Sequence, residues 1–525
     1  MNFLDCLHFK EMLVSGANNL ANKHEEINTL NVFPVPDGDT GTNMNMTFGS
    51  GVAEVSKVMN NHVGETSKLL SKSMLMSARG NSGVILSQIF KGVYKSIADK
   101  QSVTVTDLAD AFENGARIAY KAVMRPVEGT ILTVSREAAD AGKKLVEANP
   151  DVSIEEYFDT LLREARASLS RTPDLLPVLK EVGVVDSGGA GFVAVIEGFY
   201  AYLRGKPVTV AAASEKEEEP ELGYCVEAKI KLFREFDQIR IDKAISKIGT
   251  RMDISNSADE VKIHIHSMKP GEVISALQTF GDLLVVKVEN LAVGHEKKFE
   301  YEEMKPREKY AIITVCNGEG IVEMFKELGV NNVINGGQTM NPSTESFVSM
   351  IKTINADNII ILPNNSNIIL AAEQTREVLT KQNIVVVATK TVPEGIAACI
   401  AFNPDAELAE NIRNMQEAVA NVTTGSVTHA IKDTSFNGIR IKEGDYMGIK
   451  GKDIISSLPD KMETSKALLD ALVNDDTSIV TIIYGSEATE AEAEELQKYV
   501  VGEYDVDCEI SNGKQDLYPF IVGVE

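Results

Sequence analysis

No uninterrupted apolar run in this chain reaches the roughly 20 residues a helix needs to cross a bilayer. The first ten residues, Met1 to Lys10, lack a basic stretch followed by an apolar core, so neither a membrane span nor a secretory leader is expected. Cysteine is scarce. The five present (Cys6, Cys225, Cys316, Cys399 and Cys508) are odd in number and scattered, which excludes a disulfide framework and suits a reducing, cytoplasmic setting. Positive charge is short as well: 52 Lys and Arg against 77 Asp and Glu leave a formal net charge of −25. That balance argues against nucleic acid or an anionic membrane surface as the main partner. An acidic protein still binds nucleotides when metal ions and backbone amides meet the phosphates. Any contact with lipid has to run through a pocket, a surface or a partner. At 525 residues the chain is long for one core, and three or four domains are expected.

Residues 1–205 read as helical. Phe9, Met12, Leu13, Ala17, Leu20 and Ala21 recur at helical spacing, and so do Phe192, Val195, Ile196, Phe199 and Leu203. Gly-rich loops separate further helical patterns with little strand alternation, and an all-α bundle is predicted. Residues 206–222 include Ala-Ala-Ala-Ser-Glu-Lys-Glu-Glu-Glu-Pro, a charged stretch with little to bury, and read as a solvated linker. In residues 223–306 the pattern changes to strand, helix, strand. Val226, Ala228 and Ile230 alternate with Glu227, Lys229 and Lys231, and Val261 to His266 alternate too, predicting a small α+β domain. Residues 307–525 alternate short apolar strands (311–315, 358–362, 384–388 and 479–484) with helices. This is the α/β signature of a largely parallel sheet covered by helices, with a further division near Thr424 to Asp433.

The densest chemistry lies between Asn31 and Asn43, where Asp37 and Asp39 stand two apart in a turn that Pro34, Pro36 and Gly38 keep out of helix or central strand. Crowded carboxylates suit a hard cation, and Mg2+ usually combines one or two of them with substrate phosphates. The same residue types also make ordinary polar surface turns. Two further Gly-rich stretches, Gly80-Asn81-Ser82-Gly83 and Asp186-Ser187-Gly188-Gly189, each open an apolar helical run. A helix N-terminus offers free amides to phosphate, although a capped helix–helix turn has the same composition. In the middle segment His264 and His266 lie two apart on a strand and share a face, with Cys225 on a strand able to pair with it. Two imidazoles and a thiolate suit Zn2+, with His295, Glu260 or water as the fourth ligand; two half-exposed histidines and an unrelated thiol are the other reading. In the last segment 335–343 and 362–367 form polar loops after strands, where α/β folds bind ligands.

The string P-V-P-D-G-D-T-G-T-N-M resembles the signature of the DhaL (DAK2) kinase domain, the nucleotide-binding half of dihydroxyacetone kinases. Its longer form, beginning at Asn31, is similar to that of multidomain bacterial relatives, the ATP-binding subunits of fatty acid kinase. The resemblance covers essentially the full length and is most specific in the first domain. It implies an antiparallel helical barrel with ATP at one end, Asp37 and Asp39 holding Mg2+ against the phosphates, and Thr42 and Asn43 in the same motif. This chain has Asn31 where dihydroxyacetone kinases carry a further acidic residue, so no third ligand is supplied. Gly80, Asn81, Ser82 and Gly83 stand where those proteins keep a phosphate loop. Asp186, Gly188 and Gly189 resemble a second nucleotide loop, and Glu128-Gly129-Thr130 the segment lining the nucleotide. The relatives carry a comparable Cys and His-x-His in the middle domain, which implies a structural Zn2+ on Cys225, His264 and His266, near the interface of a homodimer. The loop G-G-Q-T-M-N-P-S resembles the relatives' C-terminal domain, itself related to DegV-type fatty-acid-binding proteins. The implied activity is ATP-dependent phosphorylation of a fatty-acid carboxylate held by a separate DegV-type partner, giving acyl phosphate for phospholipid synthesis. The domain with which dihydroxyacetone kinases capture their ketone has no match in this chain. A kinase acting on free small polyols and a non-catalytic lipid- or partner-binding protein with a regulatory nucleotide domain are the alternative readings.

Overall fold

A computed structural model describes residues 3–31, 38–210, 224–233, 238–245, 248–257, 260–290, 307–337, 340–430, 433–436 and 438–525. The chain divides into two compact units, one formed by Met1–Ala211 with Pro306–Glu525 and the other by Ala212–Lys305.

The first unit begins with helices α1 (Cys6–Leu30), α2 (Thr40–Lys57), α3 (Val63–Ser77), α4 (Gly80–Ile97), α5 (Val105–Ala122), α6 (Ile131–Ala148), α7 (Ile154–Leu175), α8 (Pro177–Val182) and α9 (Ser187–Leu203). A two-residue strand pair, β1 (Phe3–Leu4) with β2 (Val103–Thr104), ties the amino terminus to the start of α5. The periodic apolar residues go inside: Phe9, Met12, Leu13, Ala17 and Leu20 of α1, and Phe192, Val195, Ile196 and Phe199 of α9, are buried. Rings of Phe48, Phe90, Phe158 and Phe199 meet at centroid distances of 5.0–6.4 Å, in the tilted and edge-on arrangements aromatic pairs prefer. From α1 to α7 each helix packs on its successor, α7 packs on α9, and α9 returns to α1, closing a helical barrel. Short connections make successive helices antiparallel. The amino termini of α2, α4, α6 and α9 therefore gather at one end.

One glycine of the Asn31–Asn43 string serves this packing. A Cβ on Gly41 would collide with the carbonyl oxygen of His24, because α2 crosses α1 there. Gly41→Ala must push two helix backbones apart, and overpacking of this kind costs about 3 kcal/mol or more against backbone. The variant is expected to show a clearly lower denaturant midpoint; an unchanged midpoint would mean that the crossing is looser than described.

The same unit continues in an α/β body. Its first sheet holds β7 (Glu308–Cys316), β8 (Asn332–Asn335), β9 (Ala356–Leu362) and β10 (Asn383–Val386), all parallel in the order β10-β9-β7-β8. Helices α12 (Glu319–Glu327), α13 (Thr344–Lys352), α14 (Ile369–Val378), α15 (Val392–Ile400) and α16 (Leu408–Asn421) lie between and after these strands. A second sheet then begins with β11 (Thr423–His429). Beyond a small hairpin of β12 (Thr434–Phe436) and β13 (Ile439–Ile441), it takes in β14 (Tyr446–Lys450), β15 (Asp453–Leu458), β16 (Ile479–Tyr484), β17 (Asp507–Asn512) and β18 (Phe520–Val524), with α17 (Lys461–Leu472) and α18 (Glu490–Tyr504). Its order is β15-β14-β11-β18-β16-β17, and of its pairings only β16 with β17 is parallel. The expected largely parallel sheet is thus two sheets, the second largely antiparallel. The apolar run of β16 is buried on both faces, as in a parallel strand, while the tight β14–β15 turn forces antiparallel pairing.

This body packs on the helical barrel through α13 against α3 and α14 against α4. Ala78 and Val84 of the barrel share an apolar core with Phe347, Ile351, Ile368 and Ala371.

The second unit has its own fold: β3 (Tyr224–Leu232), α10 (Gln238–Ile245), β4 (Thr250–Ser257), β5 (Glu260–Ser267), α11 (Pro270–Leu277) and β6 (Gly281–Asn290). The sheet order is β4-β5-β3-β6, antiparallel throughout. Val226, Ala228 and Ile230 of β3 and Val261, Ile263 and Ile265 of β5 bury one face with Ile241, Val273 and Leu277 of the two helices. Cys225, Glu227, His264 and His266 fall on the other face by the period-two alternation of strands.

Candidate active site

The gathered helix amino termini are brought within a few ångströms of one another. Gly80 opens α4 at φ +57°, a left-handed conformation that favours glycine, and a Cβ there would sit 2.6 Å from the Asn43 amide nitrogen of α2. A Cβ on Gly188 of α9 would lie 3.3 Å from Ser82 Oγ of α4, from Ile131 Cβ of α6 and from Asp186 Oδ2. The three Gly-containing stretches singled out in the sequence, together with Thr130 at the start of α6, therefore line one place.

The four termini are not equivalent. Thr130 caps α6 by accepting from the Leu132 amide, and Asp186 caps α9 by accepting from Gly189 N at 2.6 Å. At α2 and α4 the N-cap residue itself makes no side-chain capping bond, although Asp39 stands at the N-cap position of α2; in the first turn of α2, Asn28 of α1 takes the Thr42 amide. The remaining leading amides of α2, and those of the Gly80–Gly83 stretch of α4, suit an anion.

Asp39 is half-buried, and its carboxylate leaves the backbone amides of its own helix alone. It accepts from the side chains of Asn43 and Asn341. Burial pushes its carboxyl up to about 6, with the two amide donors pulling the other way. A carboxylate that is neither capping a helix nor paired with a cation is suited to a hard metal ion. Asp37 lies outside the described residues. Thr42 is engaged by α1, its amide donating to Asn28 Oδ1 at 3.1 Å and its hydroxyl accepting from Asn28 Nδ2 at 2.9 Å. Asn28 is a residue the sequence reading missed, since nothing in its own helical context marks it. Asn81 donates to Asn367 at 3.1 Å. Arg79 donates to the Asn341 carbonyl at 2.9 Å, and burial holds its guanidinium below the usual range, opposed by Glu345.

Asp186 gives its carboxylate to two backbone donors, Gly189 and Ile131, which join α9 to α6. Burial raises it to about 6 against their pull. An acid whose pKa rises on folding favours the folded state fully below its unfolded value, here 3.8, and that contribution is lost as pH rises through about 6. Asp186→Asn keeps an equally good cap acceptor and removes the ionisation. The variant is expected to exceed the parent in stability at pH 8 by on the order of 2 kcal/mol and to match it near pH 4. Urea midpoints at the two pH values check this; a variant weaker at both would show that the negative charge itself is needed.

The two polar loops of the α/β body divide their residues. Gly336, Gly337, Pro363, Asn364 and Asn365 line a cavity of about 130 Å3 between its two sheets, smaller than the roughly 300 Å3 at which small-molecule sites begin. Asn341 and Asn367 turn instead to the helical barrel.

In the second unit Cys225 stands directly across from His266 in the β3–β5 register. Cys225 Sγ is 3.6 Å from His264 Nδ1, and His264 Nε2 is 3.1 Å from His266 Nε2. A tetrahedral Zn2+ with ordinary bond lengths sets N–N edges of about 3.3 Å and S–N edges of about 3.6 Å. One ion takes one of the two His264 nitrogens, and the three ligand atoms lie within 4.8 Å of one another. Of the fourth ligands offered by the sequence, His295 lies outside the described residues, and Glu260 pairs with Lys231 at the opposite end of the β3–β5 ladder, out of reach of the three. Among the described residues no helix is long and apolar enough to cross a membrane.

A helical barrel with a DAK2-type aspartate motif at the end where its helices begin, joined to an α/β body, defines a multidomain protein of a kinase class. Residues 34–201 match the DAK2 domain, residues 221–298 the middle domain of the FakA-like fatty acid kinase proteins, and residues 311–525 the C-terminal domain of the same proteins. The chain is 43% identical to Protein YloV of Bacillus subtilis (strain 168) over 551 residues, covering 99% of each. It is 40% identical to an uncharacterized protein of Staphylococcus aureus (strain MRSA252) over 542 residues, covering 98% of each. It belongs to the FakA-like family of fatty acid kinase proteins. Among solved structures it is similar to a fatty-acid-binding DegV family protein from Thermus thermophilus (10% identity, 41% of this chain and 99% of that one, TM-score 0.32). It is also similar to the dihydroxyacetone kinase from C. freundii in complex with AMP-PNP and Mg2+ (14% identity, 41% and 48%, TM-score 0.33). Membership rests on the family matches and the full-length relatives, not on these distant structural likenesses.

Proposed function

We propose that the chain is an ATP-dependent kinase that phosphorylates the carboxylate of a fatty acid carried by a separate DegV-type fatty-acid-binding protein, releasing acyl phosphate. The observation that carries this reading is the uncapped, half-buried Asp39 at the end where the amino termini of α2, α4, α6 and α9 meet. Phosphoryl transfer needs positioning and neutralisation of charge on the transferring oxygens more than it needs covalent help from the protein. The leading amides of α2 and α4 supply fixed donors aimed at phosphate. Asp39, with Asp37, would hold Mg2+, which supplies the compensating charge when bound. Asn43 keeps the Asp39 carboxylate beside the Gly80 turn. The acceptor is already ionised at neutral pH, so the site needs no general base. In the second unit, Cys225, His264 and His266 would hold a structural Zn2+.

The test incubates the full chain with ATP, Mg2+ and fatty acid, with and without a DegV-type protein. Acyl phosphate formed only with that protein is the expected result. Turnover of dihydroxyacetone in its absence would replace this reading by a polyol kinase, and tight ATP binding with no turnover in either arm by a regulatory nucleotide domain.

A further inference from the structure

The side chains of Asp39 and Asn341 meet although they stand 302 positions apart in sequence. Asn341 comes from the loop between β8 and α13 of the α/β body, and four features hold it in place. Its carbonyl accepts from Arg79 of the barrel at 2.9 Å. Pro342, next in the chain, restricts the backbone of Asn341 to extended conformations. Gly337 N donates to Met340 O at 3.1 Å, folding the loop back on itself, and Thr344 N donates to Ala78 O at 3.2 Å. Beneath the loop, Ala78 and Val84 share their apolar core with Phe347 and Ile351. The contact thus rests on a packed core and not on the loop alone.

Asn341 is 3% exposed, and its Nδ2 donates to Asp39 Oδ2. Its Oδ1 is buried without a partner. An orphaned acceptor costs about 1–3 kcal/mol, and this one adjoins a carboxylate that is itself short of positive charge.

We propose that Asn341 is a positioning residue of the phosphoryl-transfer site, supplied across the barrel–α/β junction: its Nδ2–H fixes the orientation of Asp39 and so the carboxylate oxygen left for the cation. This rests on the kinase reading above. The α/β body is then part of the nucleotide end and not only a surface for partners. Partners of metal ligands typically contribute 10–100-fold to metal affinity or activity.

The experiment measures ATP binding by calorimetry across a Mg2+ series, on full-length parent, Asn341→Ala and Asn341→Leu, with folding checked by thermal melting. Leu has the same branched four-atom outline as Asn and fills the site if Ala leaves it empty. Half-saturating Mg2+ is expected to rise about tenfold or more in both variants, with metal-free ATP binding unchanged. Glu377→Gln, which loosens the Lys91–Glu377 ion pair at the rim of the same junction, is expected to leave the Mg2+ response where it was. A parental Mg2+ response in folded Asn341 variants would overturn this proposal alone. A parent that binds no ATP at any Mg2+ concentration would overturn the kinase reading together with it.

Discussion

Asp39→Ala is expected to lower acyl-phosphate formation by more than about a thousandfold while leaving the melting temperature within a few degrees of the parent. The rate argument is electrostatic. A metal ion at the transferring phosphoryl group stabilises developing charge by several kcal/mol, and each 1.36 kcal/mol is tenfold in rate. Removing a carboxylate that holds the ion forfeits most of that. The stability argument runs the other way. Asp39 occupies the N-cap position of α2 without accepting from the helix's amides, so the substitution loses no cap. Burial already disfavours its charged form and raises its carboxyl to about 6, and relief of that buried charge offsets the cost of leaving the Asn43 and Asn341 amides without their acceptor. The pairing of a collapsed rate with an intact melt separates Asp39 from nearby Gly41, where substitution should unfold first and inactivate as a consequence. The measurement is steady-state turnover with the acyl-carrying partner present, beside a melting curve. A rate within tenfold of the parent would remove Asp39 from the metal site.

The helical barrel was legible because its signals are local. Apolar residues at i, i+3 and i+4 in α1 and α9 report burial on one face, and Phe9, Leu13, Phe192 and Phe199 are buried as that spacing requires. A division near Thr424 was expected, and the second sheet begins there with β11; its largely antiparallel pairing was harder to read, since strand direction depends on connection length and not on the strand itself. β16 looks the same in composition whether its neighbour runs with it or against it, and here it has one of each. Within the Asp39 motif the sequence blurred two jobs. Gly41 serves the α1–α2 crossing and Asp39 is proposed to serve a metal ion, yet in a string of turn residues they read alike. Capping separates the remaining carboxylates in the same way: Asp186 is engaged by two backbone amides and Asp39 by none of its own helix.

What no local pattern could reveal is the junction. The loop carrying Asn341 read as a ligand loop of its own domain, which is where Gly336 and Gly337 indeed remain. That its next residues reach back to Asp39 follows from the docking of α13 and α14 on α3 and α4, a tertiary fact.

Stripping metal from the second unit is expected to lower its melting transition by more than about 10 °C, and Cys225→Ser to do so without a chelator. The unit is small, and its one apolar face packs β3 and β5 on two eight-residue helices. Domains below about 100 residues shift by roughly 4–8 °C per kcal/mol, so a structural ion contributing only a few kcal/mol governs the transition. The ligands come from two paired strands: Cys225 and His266 face each other, and His264 sits two residues along on the same face. An ion held there staples β3 to β5 at the end of the ladder. The check is elemental analysis of the purified full chain, expected to return one Zn2+ per chain, followed by melting with and without a strong chelator and after adding Zn2+ back. His264→Ala should bind less zinc and melt early in the same way. Zinc-free protein that melts where the parent does would leave the three residues as strand-face neighbours with no metal between them.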